Sequence, residues 1–144
     1  RNRHVKPRAT LLRHQSVQVG VKLHNQVLLQ KMLHVAQSRL EDAMRQDNSM
    51  ETRFDCAYTA IRAVADAALL KHGYRTSTSK PGHHQTTLQC LVHTLSVDPT
   101  TVRILDSLRK QRNLTDYDGE LVTDSLLREC IEQAGALLAL ANQK

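Results

Sequence analysis

Tryptophan is missing from this sequence, and one Phe with three Tyr makes up the whole aromatic complement. That leaves little material for a groove that grips nucleic acid by stacking base after base. Glycine (5) and proline (3) are also scarce, while Leu, Ala, Gln and Arg are plentiful, a balance that leans to helix. No segment alternates with strand period, and no internal repeat is visible. No apolar run approaches the roughly 18 to 20 residues that a membrane span needs, and no apolar signal core follows the basic first residues. With three widely spaced cysteines (Cys56, Cys90, Cys130), neither a disulfide framework nor a zinc site is expected. They read as reduced thiols, each inside a predicted helix of a cytoplasmic protein. The loop at 74–82 lacks the Gly spacing and Gly-Lys-Ser/Thr ending of a phosphate-binding loop, so no nucleotide cofactor is expected from it.

Acidic residues are absent from positions 1–24, which hold Arg1, Arg3, Lys6, Arg8, Arg13 and Lys22. The other 14 basic residues balance the chain's 14 acidic ones, so the net charge of +6 resides in this leader. It is expected to be extended or irregular, with at most a short helix near Thr10–Val19, because it contains Pro7 and Gly20. The organisation predicted is a basic extension (1–24) followed by one helical domain (25–144), a length that suits a single core.

Within that domain the apolar spacing marks four main helices and a short one. Leu29, Leu33, Ala36, Leu40 and Ala43 form one face of the first, widened by Leu28 and Val35, and the helix should end near Gln46. Asn48 or Ser49 can cap the second, with Glu51 placed as in a capping box. Phe54, Ala57, Tyr58, Ile61, Val64, Ala65, Ala68 and Leu69 then hold the helical step until Gly73. So many alanines on one face let a neighbour approach closely, which predicts a central helix. A short helix carries Leu88, Leu91, Val92 and Leu95, with His83 and His84 in its first turn. Asp98-Pro99 starts the fourth helix, which runs to about Gly119, and Thr123 or Asp124 caps the last. The fold class expected is all-α, an antiparallel bundle of four to five helices.

The fourth helix carries the candidate site. Val102, Leu105 and Leu108 set a core stripe, and the next position on it is Arg112, followed a turn later by Asp116. A guanidinium in line with a core stripe must find acceptors, since burying it unpaired costs several kcal/mol, of order of magnitude. Asp116 is the expected partner. A phosphate gripped by the guanidinium fork is one use of such a residue, and an ion pair tying this helix to Tyr58 or to the second helix is the other. Arg109 and Lys110 are expected on a solvated face, sharing Asp106. Tyr117 and Tyr58 could each stack on a base, and His83 and His84 could meet the anion if their helix folds over the Arg112 end. The eight histidines are scattered, with no Cys or carboxylate at ligand spacing from that pair, so no metal site is expected.

These motifs resemble those of HEPN domains. The stretch from Asp55 through Tyr58, Ala60 and the small residues to Gly73 is similar to that family's Tyr-x-Ala helix with its closing Gly. His83-His84 resembles its polar entry into a short helix, and Arg112-Asn113-Leu114-Thr115-Asp116-Tyr117 resembles its Arg-x-x-Ala-Asp-Tyr signature. The likeness covers roughly residues 27–142. It implies a helical bundle, a homodimer, and work in toxin–antitoxin or defence systems beside a nucleotidyltransferase-like partner. RNA or nucleotide is the implied ligand, with Arg112, Asp116, Tyr117, His83, His84, Tyr58 and Arg109 as the residues that would bind it. Family members that are metal-independent endoribonucleases carry a His after four to six residues that follow the Arg. Here positions 117 to 119 are Tyr, Asp and Gly, so the imidazole suited to proton transfer near neutrality is not in that place. The expectation is therefore a non-catalytic or altered domain. An active endoribonuclease using a displaced His, with Arg112 catalytic, and a purely structural interaction module are the alternatives.

Overall fold

A computed structural model describes residues 8–75 and 82–143, the side chains from residue 23 onward. Leader residues 1–7 and loop residues 76–81 lie outside the described part. The protein is an all-α bundle: α1 (Arg8–Met44), α2 (Met50–Lys71), α3 (His83–Gln89), α4 (Leu91–Thr94), α5 (Pro99–Asp118) and α6 (Asp124–Gln143). None of the described helices is long and apolar enough to cross a membrane.

Contrary to the irregular leader expected, α1 is helical from Arg8 and passes Gly20 and position 24 without a break. A glycine inside a helix costs only about 1 kcal/mol relative to Ala, too little to stop a helix that other residues favour on both sides. The other end of α1 stops at Met44, two residues before the expected Gln46, because two side chains satisfy its last carbonyls. Asn48 Nδ2 donates to Asp42 O at 3.0 Å, and Arg53 Nε donates to Ala43 O at 2.7 Å. The cap of α2 is Ser49, whose hydroxyl accepts from the Thr52 N–H at 3.1 Å; the Asn48–Glu51 box does not form.

α2 is the centre of the bundle and pairs most extensively with α1 and then with α6. Its expected stripe is buried apart from Leu69, and Cys56, Ala60, Ala67 and Leu70 are buried as well. The helix is thus covered on more than one side, as its small residues permit. On α1, Ala36 and Ala43 reach 0% exposure and Leu33 and Leu40 pack against the core, while Val35 stays 46% exposed and does not widen that face. The expected single short helix is two, α3 and α4, hinged at Cys90, so Cys90 lies between helices and is only half-buried. Cys56 and Cys130 are buried, and burial raises both thiols, that of Cys130 to about 12.

α5 starts as its sequence dictates: the Asp98 carboxylate accepts from the Thr100 N–H, and Pro99 follows at the first turn. It stops at Gly119, whose φ of 71° is the left-handed cap that glycine takes without strain. Val102, Leu105 and Leu108 are its buried residues, which turn the Arg112 face toward α2. Thr123 caps α6 by accepting the Leu126 N–H at 3.1 Å.

Candidate functional site

Arg112 lies where α5 crosses α2. Its Nε donates to Asp55 Oδ1 at 2.7 Å, across 57 residues of sequence, while Asp116 Oδ2 is 4.0 Å away. The principal partner is therefore Asp55 and not Asp116. The guanidinium carbon also stands 5.4 Å from the centre of the Tyr58 ring, within the range of a cation–π contact. Burial works against the charged guanidinium, but the Asp55 hydrogen bond and the charges of Asp55 and Asp116 outweigh it and leave the Arg112 pKa raised. The group is a permanent cation, 24% exposed.

The fork itself is open. Arg112 bonds Asp55 through Nε, and neither Nη makes a hydrogen bond to a described residue or is sealed from solvent. Arg109, three residues earlier, repeats the arrangement: Nε donates to Asp106 at 2.8 Å, with Lys110 on the other carboxylate oxygen at 3.5 Å. Lys110 lies on a solvated face as expected, but Arg109 is largely covered, with 18% of its side chain exposed. Both guanidiniums are thus held by a carboxylate through Nε, with no hydrogen bond from either Nη to a described residue.

α3 packs against α5 and brings its first turn to the same corner. His83 and His84 stack edge to face with centroids 4.0 Å apart. Partial burial, then the positive charges of Arg62, His83, Arg112 and Arg109, lower the His84 pKa to about 4. Arg62, one turn beyond Tyr58 on α2, completes the cluster and was not foreseen in the sequence; nor was Asp55. Tyr117 does not join it, being 85% exposed to solvent. Of the residues expected at the site, the fold gathers Arg112, Arg109, Tyr58, His83 and His84, places Asp116 at the edge, and leaves Tyr117 outside.

Tyr58 lies beneath this cluster. The residue is 1% exposed and its hydroxyl is buried without a hydrogen-bond partner. Burial pushes its pKa up to about 12, so it is a neutral O–H donor at physiological pH. A buried donor left unpaired carries a desolvation penalty of about 1–3 kcal/mol. Tyr58→Phe should therefore leave urea-melt stability unchanged or raise it by up to about 1 kcal/mol. A loss of more than about 1 kcal/mol would show that the hydroxyl is bonded in solution.

The depressed His84 pKa has a sign. Its ordinary value is 6.5, so between that and about 4 the unfolded chain binds a proton that the folded chain does not. The stability contribution is fully present above pH 6.5 and is lost as the pH falls toward 4. The full shift would correspond to about 3 kcal/mol, but His84 is only partly buried, and screening by solvent reduces this to about 1 kcal/mol. His84→Gln should flatten the denaturation midpoint across that window. Asp66 has the opposite slope above its ordinary 3.8, because burial raises its pKa. An unchanged slope in the glutamine variant would remove His84 from the account.

Among the described residues no group of three or more His, Cys, Asp or Glu is gathered closely enough to hold a metal ion. No family model matches the sequence, and no curated protein is significantly similar to it.

Proposed function

We propose that the chain is a HEPN-like helical domain that binds the phosphate of RNA or of a nucleotide where α2, α3 and α5 meet, and that it binds without cleaving. The observation that carries this reading is the open edge of Arg112: Asp55 fixes the guanidinium through Nε, and neither Nη amine is bonded to a described residue or sealed from solvent. Arg109 offers a second such edge and Arg62 adds a third guanidinium. A fork held in place loses less entropy on gripping a phosphate than a free one does. The resemblance supplies the setting, a homodimer in a toxin–antitoxin or defence system beside a nucleotidyltransferase-like partner.

Binding is favoured over catalysis by the state of the imidazole nearest the forks. A His84 with a pKa of about 4 is neutral at physiological pH and a weak base, poorly matched to removing a proton from a ribose hydroxyl. Its presence beside Arg112 is nevertheless the one feature that favours the alternative, an endoribonuclease with a displaced His. Incubating the purified chain with a fluorescent single-stranded RNA tests both. Binding that weakens with salt, with the RNA left intact, is the expected result. No binding at low salt contradicts the proposal, and cleavage lost in His84→Gln replaces it with the enzyme.

A further inference from the structure

α1 has a side that its own bundle leaves uncovered. Leu23, Val27 and Val35 are exposed, and Leu28 and Met32 are only part-buried. Leu28, Met32 and Val35 follow one another at helical spacing. With Thr59 and Ala63 of α2 they line a groove of about 350 Å³. Its charged rim holds both signs, Lys31 and Arg62 beside Asp66. A partner of one charge sign would meet repulsion there. A second copy turned by a two-fold axis brings an opposite charge for each.

α1 also outruns the helices on which it lies. Among the described elements it packs on α2 and α6. α2 ends level with Asn25 and Gln26, which share a hollow with Lys71, His72 and Gly73. α6 ends level with Leu29 and Gln30, which share another with Ala141 and Asn142. Most helical stability in proteins comes from packing one face, so residues 8–24 call for a surface from elsewhere. They belong to the leader that carries six cations and no acid. The complementary charge lies at the opposite end of α1. Residues 41–51 hold Glu41, Asp42, Asp47 and Glu51 against Arg45 alone. Arg39 engages Asp42 and Arg45 engages Asp47, but Glu41 accepts from the Gln37 amide, and Glu51 is exposed at the start of α2. The two ends of a 37-residue helix stand about 55 Å apart, so a copy cannot lay its leader on its own acidic end. In a parallel pair of copies leader would lie on leader. An antiparallel pair sets each leader toward the acids of the other.

We infer that α1 is a self-association surface: two copies pair antiparallel along the Leu28, Met32 and Val35 stripe, each laying its basic leader over the acidic α1–α2 turn of the other. The dimer of the proposed function gains a surface here, and that surface stands without the phosphate corner. The test is sedimentation equilibrium of the full chain, with cysteine cross-linking to read the orientation. The wild type should be a dimer at micromolar concentration. Val35→Glu changes an exposed position, so it should fold normally, and the charge in the seam should raise the dissociation constant roughly tenfold or more. Glu41→Lys combined with Glu51→Lys should also weaken the dimer, whereas Glu132→Lys, exposed on α6, should not. Met32→Cys lies at the two-fold axis and should link to its own copy on oxidation beyond the wild-type background; Glu41→Cys, far from the axis, should not. Arg112→Ala should stay dimeric whatever its RNA affinity. A monomeric wild type, an undiminished dimer in Val35→Glu or in the double lysine variant, or equal weakening by Glu132→Lys would each overturn the inference. So would an unlinked Met32→Cys, a Glu41→Cys that links as readily, or a monomeric Arg112→Ala.

Discussion

Arg112→Ala is expected to weaken RNA binding by roughly ten- to hundredfold while leaving the fold intact. A hydrogen bond to a charged group contributes about 1.5–3 kcal/mol, and each 1.4 kcal/mol is a factor of ten in affinity. The substitution removes such a donor pair from an anion. Its structural cost is small, since the Asp55 carboxylate that it strands is half-exposed and is rehydrated when the guanidinium leaves. Arg112→Lys keeps the charge and loses the fork, so its affinity should fall between the two. Asp55→Asn separates a ligand site from a mere helix clamp. It loosens the α2–α5 tie by no more than about 1 kcal/mol, keeps an oxygen to hold Nε and takes a negative charge away from the fork, so RNA affinity should rise. If Arg112 served only to join the helices, both Arg112→Ala and Asp55→Asn would leave RNA affinity untouched. Fluorescence anisotropy at fixed salt, with thermal melts alongside, reads all of these outcomes.

The largest effect on stability is expected from Leu105→Ala. Leu105 is 0% exposed and belongs to the core that α5 shares with α2. Deleting a fully buried leucine side chain costs about 2–5 kcal/mol, partly for the lost transfer energy and partly for the cavity left behind. In a domain of this size each kcal/mol moves the melting temperature by about 2–4 °C, so a fall of roughly 5–15 °C should follow. Leu121, 80% exposed in the turn before α6, is the control: Leu121→Ala should change the melting temperature by less than about 2 °C. Similar melts for the two variants would mean that α5 is not anchored through Leu105. Because Leu105 fixes the face on which Arg112 emerges two turns later, RNA affinity should fall in Leu105→Ala even below its melting temperature.

What could be read from the sequence is what local chemistry dictates. The 3.6-residue spacing identified the buried faces of α2 and α5, and the residues that end helices announced themselves at Ser49, Asp98, Gly119 and Thr123. Arg112 stood out because a cation occupied a stripe position. Its partner did not. Asp55 lies 57 residues away, and nothing in the spacing of either helix says which turn of α2 meets which turn of α5. Asp116 was the natural expectation only because one helical turn is the one distance a sequence fixes. Arg62 was missed for the same reason, since on α2 alone it is an ordinary polar position. The leader failed differently: Gly20 reads as a breaker, yet a single glycine is a weak one and α1 continues through it. Tyr117 was drawn in by its neighbours in the motif, although a residue five positions past Arg112 points away from the α2 side of the helix.

The most direct measurement follows the side chain of Arg112 itself. In a protein labelled with nitrogen-15, the guanidinium signals of Arg112 are recorded during titration with a short single-stranded RNA. If Asp55 holds Nε while the free edge receives phosphate, the Nη signals should shift and sharpen as the complex forms, and the Nε signal should move little. Complex formation with every Arg112 side-chain signal unchanged would place the ligand elsewhere and leave the α2–α5 contact as a structural tie.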